Sequence, residues 1–321
     1  MNAKTKSFTL LGLLEAATVA LCAGVGLAFL ARLWWVFELA CHFRPHQAVL
    51  LWLAAGFWFW MKRRWLAGLC GTLALLNTLM VAALFLPPST GPLPGSQKLR
   101  LLSLNVHMAN ERADLVLDCL RKADADIILL MEVNDRWMNS LSTLNESYPF
   151  RITAPREDNF GIALFSRLPL ANSKVVEIGG AEVPSIATEA EWPGGRFFLL
   201  GTHPLPPGSA AYAAWRNEQL KAVATLVRPQ ALPVIVAGDL NLTPWSPYFS
   251  ALLKQSGLKN TSQGLGLFNS WPGTLAGMGI PIDHCLVSQD WIVLAKRTGP
   301  PVGSDHLPVV VEISLPPKER K

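Results

Sequence analysis

The first 90 residues constrain this chain most, because they contain three long apolar runs. Residues 10–31 include one charged side chain, Glu15, and residues 65–86 include none. A helix needs roughly 20 apolar residues to cross the core of a bilayer. Residues 45–61 form a shorter, tryptophan-rich run at the lower limit of that length. The pattern predicts three transmembrane helices, of which the second has the weakest support.

A cleaved signal peptide is the alternative for the first run. Two features argue against it: the run is longer than the usual apolar core of a signal peptide, and two further apolar runs follow it. Tryptophans also stand near the ends of the runs, as at Trp34, Trp35 and Trp65. Aromatic rings prefer the membrane–water interface, so these positions fit membrane helices.

The basic residues around the runs predict an orientation. Lys4, Lys6 and residues 62–64 fall on one side of the predicted spans, and Arg32 and Arg44 fall on the other. Cytoplasmic loops carry the excess of lysine and arginine. We therefore expect a multi-pass protein of the inner or plasma membrane with its N-terminus in the cytoplasm. Three spans then place the rest of the chain in the periplasm or outside the cell, and losing one span would reverse this.

Prolines and glycines mark a boundary after the apolar region. Residues 87–97 contain four prolines and two glycines, which cannot continue a helix. We interpret this segment as a short, fairly stiff linker. It separates a membrane region, residues 1–86, from a globular domain at residues 98–316, and residues 317–321 form a basic tail.

The formal net charge of +5 could suggest nucleic-acid binding, but the charge is not spread evenly along the chain. Seven basic and two acidic residues before Pro94 account for all of it. From Ser96 onward, 21 basic and 21 acidic residues balance. The globular domain is therefore neutral overall, which weakens the case for binding the phosphate backbone of nucleic acids.

The five cysteines show no spacing typical of a metal site. Three lie in the apolar region, and Cys119 and Cys285 lie in segments that we expect to be buried. We interpret all five as small buried hydrophobic residues. A disulfide between Cys119 and Cys285 is the alternative.

Short apolar runs in the globular domain predict strands separated by turns. They cover residues 99–106, 127–131, 162–165, 197–201, 234–237, 282–287 and 307–313. Several are continuous rather than alternating, which is typical of sheets buried on both faces. Helical patterns occupy residues 111–123, 210–227 and 245–255. The mixture predicts a layered α/β or α+β domain.

Polar side chains recur at or just beyond the ends of these strands. They are Asn105, Glu132, His203, Asp239, Asn241, Asp283, His284, Asp305 and His306. Each alone indicates little, because a carboxylate after a strand is usually a turn or cap residue. Together, carboxylate and amide oxygens without thiolates suit Mg²⁺ or Mn²⁺, whereas zinc sites favour histidine clusters or cysteines. A hard cation with histidine and carboxylate partners indicates phosphoryl chemistry.

The motifs occur in a recognisable order: LLSLNVH, IILLMEV, NFGIALFSR, LLGTHPLP, VIVAGDLNLTP, IDHCLV and GSDHLPVVVEI. In this order they resemble the endonuclease/exonuclease/phosphatase superfamily, which includes deoxyribonucleases, abasic-site endonucleases, neutral sphingomyelinases and inositol-polyphosphate 5-phosphatases. The resemblance covers residues 98–316. It implies an α+β fold, a four-layer α/β/β/α sandwich with the active site at one end of two central sheets.

The resemblance also implies a metal site for Mg²⁺ or Mn²⁺. Glu132 would be the main metal ligand. Asn105 would lie beside it and bind the metal or a phosphate oxygen. Asp305 would assist in holding the metal.

The catalytic roles follow from the same resemblance. Asp239 would orient or deprotonate the attacking water, and Asn241 would hold a phosphate oxygen in the transition state. His306 would contact the scissile phosphate and would be oriented by Asp283. His203 matches a histidine that nuclease and sphingomyelinase members could use as a general acid.

Three further residues stay open at this point. His107 is either structural or substrate-facing. His284 follows Asp283 directly, and neighbouring side chains on a strand point to opposite faces, so a structural role is expected. Asn159 lies where the family often has a small polar segment near the phosphate.

Three functions remain for the chain. The first is a phosphodiesterase of nuclease type, acting on DNA or RNA. The second is a lipid or small-molecule phosphoesterase at the membrane face, which the short linker favours. The third is a non-catalytic binding domain, and the complete set of predicted site residues argues against it. The implied partners are a phosphoester substrate, either nucleic acid or phospholipid, and the lipid bilayer.

Overall fold

In a computed structural model of the chain, the structure describes residues 9–87, 97–275 and 277–316. Most of the predicted linker, the predicted basic tail, and Lys4 and Lys6 lie outside the described residues. The chain divides into two compact units, Met1–Ala83 and Leu84–Lys321. All five cysteines are free and buried, so the alternative of a Cys119–Cys285 disulfide is wrong.

The first unit is helical. Its helices are α1 (Leu10–Leu27), α2 (Trp35–Cys41), α3 (Arg44–Trp60) and α4 (Arg64–Ala82), with 3₁₀ turns at Ala28–Leu30 and Ala83–Phe85. Two segments, Leu10–Leu30 and Arg64–Phe85, are long and apolar enough to cross a membrane by length and composition. The second predicted span corresponds to α3, which has 17 residues and is therefore about 26 Å long.

Polar contacts join the helices of this unit. Arg44 at the start of α3 is buried, and its Nη1 donates to Asn77 Oδ1 on α4 at 2.9 Å. Its Nη2 donates to the carbonyl of Ala28 at 3.3 Å. At the other end of the helices, Arg63 Nε lies 3.0 Å from the carboxylate of Glu15. The single charge in the first apolar run is thus neutralised by the turn between α3 and α4.

The described part of the second unit contains two six-stranded sheets. The first has the order β11-β12-β1-β2-β4-β3 and the second the order β5-β6-β7-β8-β10-β9. The strands are β1 (Lys98–Asn105), β2 (Ile127–Met131), β3 (Phe150–Ala154), β4 (Ile162–Ser166), β5 (Leu170–Glu177), β6 (Pro184–Trp192), β7 (Gly195–Gly201), β8 (Val234–Asp239), β9 (Lys259–Asn260), β10 (Asp283–Val287), β11 (Ile292–Thr298) and β12 (Val309–Ser314). The helices are α5 (Ala113–Ala123), α6 (Asp135–Ser140), α7 (Ala210–Val227) and α8 (Pro247–Ser256), with a 3₁₀ turn at Leu141–Leu144.

Three apolar clusters define four layers. The central cluster packs the inner faces of the two sheets together, with residues such as Leu129 and Leu199. A second cluster packs the outer face of the first sheet against α5 and α6, as at Val116 and Trp137. A third packs the other sheet against α7 and α8. The expected α+β four-layer sandwich is therefore confirmed, and its continuous apolar strands are covered on both faces.

Strand direction brings the predicted site residues to one edge. β1 and β2 run parallel, so Asn105 at the end of β1 and Glu132 just after β2 share that edge. β7 and β8 are also parallel, which brings His203 near Asp239. β10 runs antiparallel to β8, and its first residue, Asp283, pairs with Asp239.

All seven predicted strands are present, with bounds that shift by up to two residues. The helix expected at residues 111–123 begins at Ala113, and the one expected at residues 245–255 is Pro247–Ser256. Five strands were not predicted from the sequence: β3, β5, β6, β9 and β11. β3, β5 and β11 are largely half-buried or exposed, so they lack the continuous apolar run that marks a central strand.

Candidate active site

Asn105 and Glu132 form the first part of the site. The Asn105 amide Nδ2 donates to Glu132 Oε1 at 2.8 Å, and the backbone N–H of Met108 donates to Glu132 Oε2 at 3.2 Å. The Asn105 carbonyl oxygen Oδ1 accepts the backbone N–H of His107 at 3.0 Å. Both sides of the Asn105 amide are therefore held, and Glu132 is fixed beside it.

Asp239 lies at the centre of the site. Three nitrogens converge on its Oδ2 atom: Asn105 Nδ2 at 3.4 Å, His203 Nε2 at 3.5 Å and His306 Nε2 at 3.6 Å. Its other oxygen accepts the backbone N–H of Asn241 at 2.9 Å. The carboxylate is buried, so these neighbours take the place of solvent around it.

His306 and Asp283 form a hydrogen-bonded pair behind Asp239. His306 Nδ1 donates to Asp283 Oδ2 at 2.8 Å, which leaves Nε2 directed toward Asp239. The hydroxyl of Ser304 accepts the His306 backbone N–H at 3.0 Å and donates to the carbonyl of Asn105 at 2.7 Å. The position of His306 is thus coupled to β1.

The electrostatics of the site favour charged forms despite burial. Burial disfavours the His306 imidazolium, but the charges of Asp283 and Asp239 outweigh it and raise the pKa of His306 to about 10. The same competition raises the pKa of His203, because Asp239 accepts its hydrogen bond. Burial favours a neutral Asp239, yet the two imidazolium groups lower its pKa. At neutral pH we therefore expect an ionised Asp239 beside a protonated His306, with the equilibrium of His203 shifted toward its protonated form.

The backbone around the site adopts conformations that are uncommon for residues with side chains. His107, Glu132 and Asn241 have φ angles of 58°, 60° and 52°, in the left-handed region. Such conformations cluster at functional sites. Gly238, directly before Asp239, has φ 143°, and a Cβ there would lie 1.9 Å from the carbonyl oxygen of Thr202.

Asp305 belongs to the edge of the site. Trp271 Nε1 donates to its Oδ2 at 2.9 Å, and His107 Nδ1 lies 3.6 Å from its Oδ1. His107, whose role the sequence left open, is therefore a neighbour of this carboxylate.

The other two open residues are His284 and Asn159. His284 donates from Nε2 to the carbonyl of Leu242 at 2.8 Å, and its ring packs on Phe249 at 4.6 Å between centroids. This contact fits the expected structural role. Asn159 is exposed, with φ 65°. The next residue, Phe160, packs its ring against His203 at 5.6 Å.

The donor atoms are consistent with a divalent cation at Glu132. In the described part of the chain, this carboxylate receives only neutral N–H donors and forms no salt bridge with a basic side chain. A second group, Asp239, Asp283 and His306, has its potential ligand atoms within 4.8 Å of one another. In that group the Asp283–His306 hydrogen bond already engages one nitrogen. The Glu132 carboxylate, an oxygen donor without such a pairing, matches a hard cation better.

Comparison with known families decides the class. A family model described as the endonuclease/exonuclease/phosphatase family matches residues 102–306, more than half of the chain. This chain is a member of the endonuclease/exonuclease/phosphatase family. Members of the family are phosphoester hydrolases, so the resemblance in the motifs is confirmed. A search of curated proteins finds no match.

Solved structures of the family share the fold. The human nocturnin catalytic domain is 22% identical with a TM-score of 0.55, over 68% of this chain and 95% of that one. TDP2 from D. rerio, complexed with a single-strand DNA product, is 16% identical with a TM-score of 0.55, over 68% and 99%. A mutant beta toxin from Staphylococcus aureus with bound magnesium ions is 18% identical with a TM-score of 0.51, over 68% and 100%.

Several residues that support the site were not predicted from the sequence. Ser304 and Trp271 hold His306 and Asp305, and Arg216 contacts the backbone of Asn241. Ser304 lies directly before Asp305, so its place in the GSDH motif is the only signal that could have indicated it. Nothing in the local pattern distinguishes Trp271 or Arg216 from ordinary core residues.

Proposed function

We propose that this chain is a phosphodiesterase of nuclease type that depends on Mg²⁺ or Mn²⁺. The observation that carries the proposal is the convergence of His203, His306 and Asn105 on one oxygen of a buried Asp239. An ionised carboxylate next to two histidine Nε2 atoms places a proton acceptor beside proton donors. General acid–base catalysis of phosphoester hydrolysis uses both.

Glu132 would hold the metal, with Asn105 beside it and Asp305 assisting. A bound Mg²⁺ or Mn²⁺ would neutralise charge on the phosphate oxygens. The relative whose structure contains magnesium ions supports this choice of metal. The half-buried Glu132 has no basic partner among the described residues, which leaves its charge for a cation.

The protein's own side chains account for the proton transfers. Asp239 would accept a proton from water as the water oxygen bonds to phosphorus. The bond between phosphorus and the leaving oxygen breaks, and His203 would donate a proton to that oxygen. His306, held by Asp283, and the amide of Asn241 would hold the phosphate oxygens through the transition state.

The test uses the full chain purified in detergent. Hydrolysis of bis(p-nitrophenyl) phosphate, plasmid DNA, RNA and sphingomyelin would be measured with Mg²⁺ and with Mn²⁺. We expect Asp239→Ala and His306→Ala each to lower turnover by a factor on the order of 10² to 10⁴. Asp118→Ala is the control, because Asp118 is exposed and pairs with Lys122 on the same helix, α5. Wild-type turnover in both site variants would refute the assignment of these residues.

A lipid phosphoester is the second candidate substrate, and one observation favours it. Tyr212 and Trp215 at the start of α7 are 41% and 45% exposed, and their rings lie 5.9 Å apart. They follow the loop that carries His203, and aromatic side chains favour membrane interfaces. A Tyr212→Ser, Trp215→Ser double variant should then lose activity on sphingomyelin vesicles while keeping activity on bis(p-nitrophenyl) phosphate. Equal activity of the wild type and the double variant on sphingomyelin vesicles would argue against a lipid substrate.

A further inference from the structure

Helix α7 contains two polar side chains that are completely buried. Arg216 and Gln219 are both 0% exposed, and at a spacing of three residues they lie on the same side of the helix. The other buried residues of α7, such as Leu220 and Val223, pack against the second sheet. A helix that only needed to cover a sheet would not require a buried arginine there, because burying its charge is unfavourable unless hydrogen bonds compensate.

The contacts of Arg216 lead to the active site. Its Nη1 donates to the backbone carbonyl of Asn241 at 3.0 Å. Its Nε and Nη2 both donate to Asn217 Oδ1, at 3.1 Å and 2.8 Å. The guanidinium also lies over the ring of Tyr248, 5.6 Å from its centroid. The fork to Asn217 fixes the orientation of the guanidinium, with Nη1 directed at the carbonyl of Asn241.

That carbonyl belongs to a residue whose backbone is held on every side. Asn241 has φ 52°, and its N–H donates to Asp239 Oδ1 at 2.9 Å. Its side-chain Nδ2 donates to the carbonyl of Pro204 at 2.9 Å. With Arg216 on the carbonyl, the N–H, the side chain and the carbonyl of Asn241 all have fixed partners. An uncommon backbone conformation persists only where the surroundings determine it in this way.

Gln219 acts on the neighbouring loop. Its Oε1 accepts the backbone N–H of Leu205 at 3.2 Å, two residues after His203. Pro204, between them, receives the Asn241 amide. One face of α7 therefore holds both the loop that follows β7 and the loop that follows β8.

We propose that Arg216 is a positioning residue that fixes the backbone of Asn241 and, through it, the geometry of Asp239. The inference rests on the proposed function, because it assigns Arg216 to the same reaction. Arg216 is thus a positioning residue and not a catalytic one. Arg216 acts on the site through the Asn241 carbonyl. Replacing Arg216 should therefore lower kcat more than it raises KM.

The experiment compares three variants of the full chain in detergent. Arg216→Lys keeps the charge but loses the fork, and Arg216→Met removes the charge at similar volume. Lys221→Met is the control, because Lys221 lies on the same helix, is exposed and pairs with Glu218 one turn away. Turnover of bis(p-nitrophenyl) phosphate would be measured with Mn²⁺, and amide hydrogen exchange would be followed by mass spectrometry without substrate.

We expect both Arg216 variants to lower kcat on the order of 10- to 100-fold with KM changed less than threefold. They should also speed exchange in peptides covering residues 202–207 and 239–244, and not in β1 or β2. Lys221→Met should match the wild type in both measurements. Wild-type kcat in Arg216→Met, or faster exchange spread over the whole unit, would overturn the inference. A wild-type protein inactive on every phosphoester would instead refute the proposed function, and the exchange result would still report on Arg216.

Discussion

At the scale of single residues, two buried histidines show how local surroundings set the charge of an imidazole. His306 faces carboxylates, and its pKa rises to about 10. His284 is equally buried but faces the carbonyl of Leu242 and the ring of Phe249, and burial lowers its pKa to about 3. Because a carbonyl only accepts hydrogen bonds, His284 is the neutral tautomer with its proton on Nε2.

The low pKa of His284 predicts a pH dependence of stability. Its folded-state pKa lies below the ordinary value of 6.5, so the neutral form favours the folded state. This contribution is complete above pH 6.5 and is lost as the pH falls from 6.5 toward 3, by about 1.4 kcal/mol per pH unit. Thermal unfolding at pH 7.5 and 5.5 should show a smaller drop in Tm for His284→Gln than for the wild type. An equal drop in both proteins would show that His284 does not contribute.

Trp271 offers a residue-scale test of metal binding. Its indole N–H holds Asp305 Oδ2 at 2.9 Å, and partners that orient metal ligands commonly affect affinity. Trp271→Phe should weaken Mn²⁺ binding on the order of 10-fold, as measured by isothermal titration calorimetry. Trp215→Phe, at an exposed position on α7, should leave the affinity unchanged. Unchanged affinity in Trp271→Phe would mean that Asp305 is not a ligand or is oriented without the indole.

At the scale of secondary-structure elements, the end of β8 shows how a strand delivers a side chain to the site. Gly238 takes φ 143° and lies against the carbonyl of Thr202. The close approach of β8 to the loop after β7 turns Asp239 toward His203. Only glycine fits this position, because a side chain would collide with backbone.

Gly238→Ala should therefore disrupt the end of β8. We expect a loss on the order of 3 kcal/mol or more in the free energy of unfolding, with loss of activity even where the protein is still folded. Gly180→Ala is the matched control, because a Cβ at Gly180 meets nothing within 4 Å. Comparable stability of the two variants in urea titrations would contradict the steric argument.

The sequence predicts central elements well and edge elements poorly, for a physical reason. β2 and β4 are buried at every position, so an apolar run identifies them without knowledge of their neighbours. β5 is mostly exposed or half-buried, and it forms a strand because β6 pairs with it. Such pairing depends on residues distant in sequence, which local patterns do not contain.

In the candidate site, too, local sequence patterns predict some residues and not others. Asn105, Glu132 and Asp239 stand at the ends of buried strands, where the chain itself marks them. The structure adds that Asp239 is shared by two histidines from different segments, which no local spacing specifies. Arg216 is hidden in the sequence because a buried arginine and an exposed one look identical within a helix.

At the scale of the whole molecule, membrane topology depends on α3. The turn between α3 and α4 is short, and α4 lies in a segment apolar enough to cross a membrane. Because α3 packs along α4 as its antiparallel neighbour, we propose that both cross. The Glu15–Arg63 pair supports this arrangement, since it brings the early part of α1 and the α3–α4 turn to one end of the helical unit.

Reporter fusions test the proposed topology in a bacterial host. Alkaline phosphatase fused after residue 321 should be active, because three spans would export the C-terminal unit. The same enzyme fused after residue 62 should be inactive, because that turn would be cytoplasmic. Deletion of residues 44–63 should inactivate the C-terminal fusion by removing one span. An inactive full-length fusion would favour two spans and a cytoplasmic catalytic unit.

The direction of β1 bears on whether the segment ahead of the sandwich can be replaced by another module. The strand begins at Lys98, where the chain enters the sandwich, and ends at Asn105 beside Glu132. Seven residue steps of about 3.3 Å separate these points by about 23 Å. A module attached ahead of Lys98 therefore joins the sandwich at the end of β1 that is opposite Asn105. An exchange of that module therefore leaves the end of β1 that carries Asn105 unaltered.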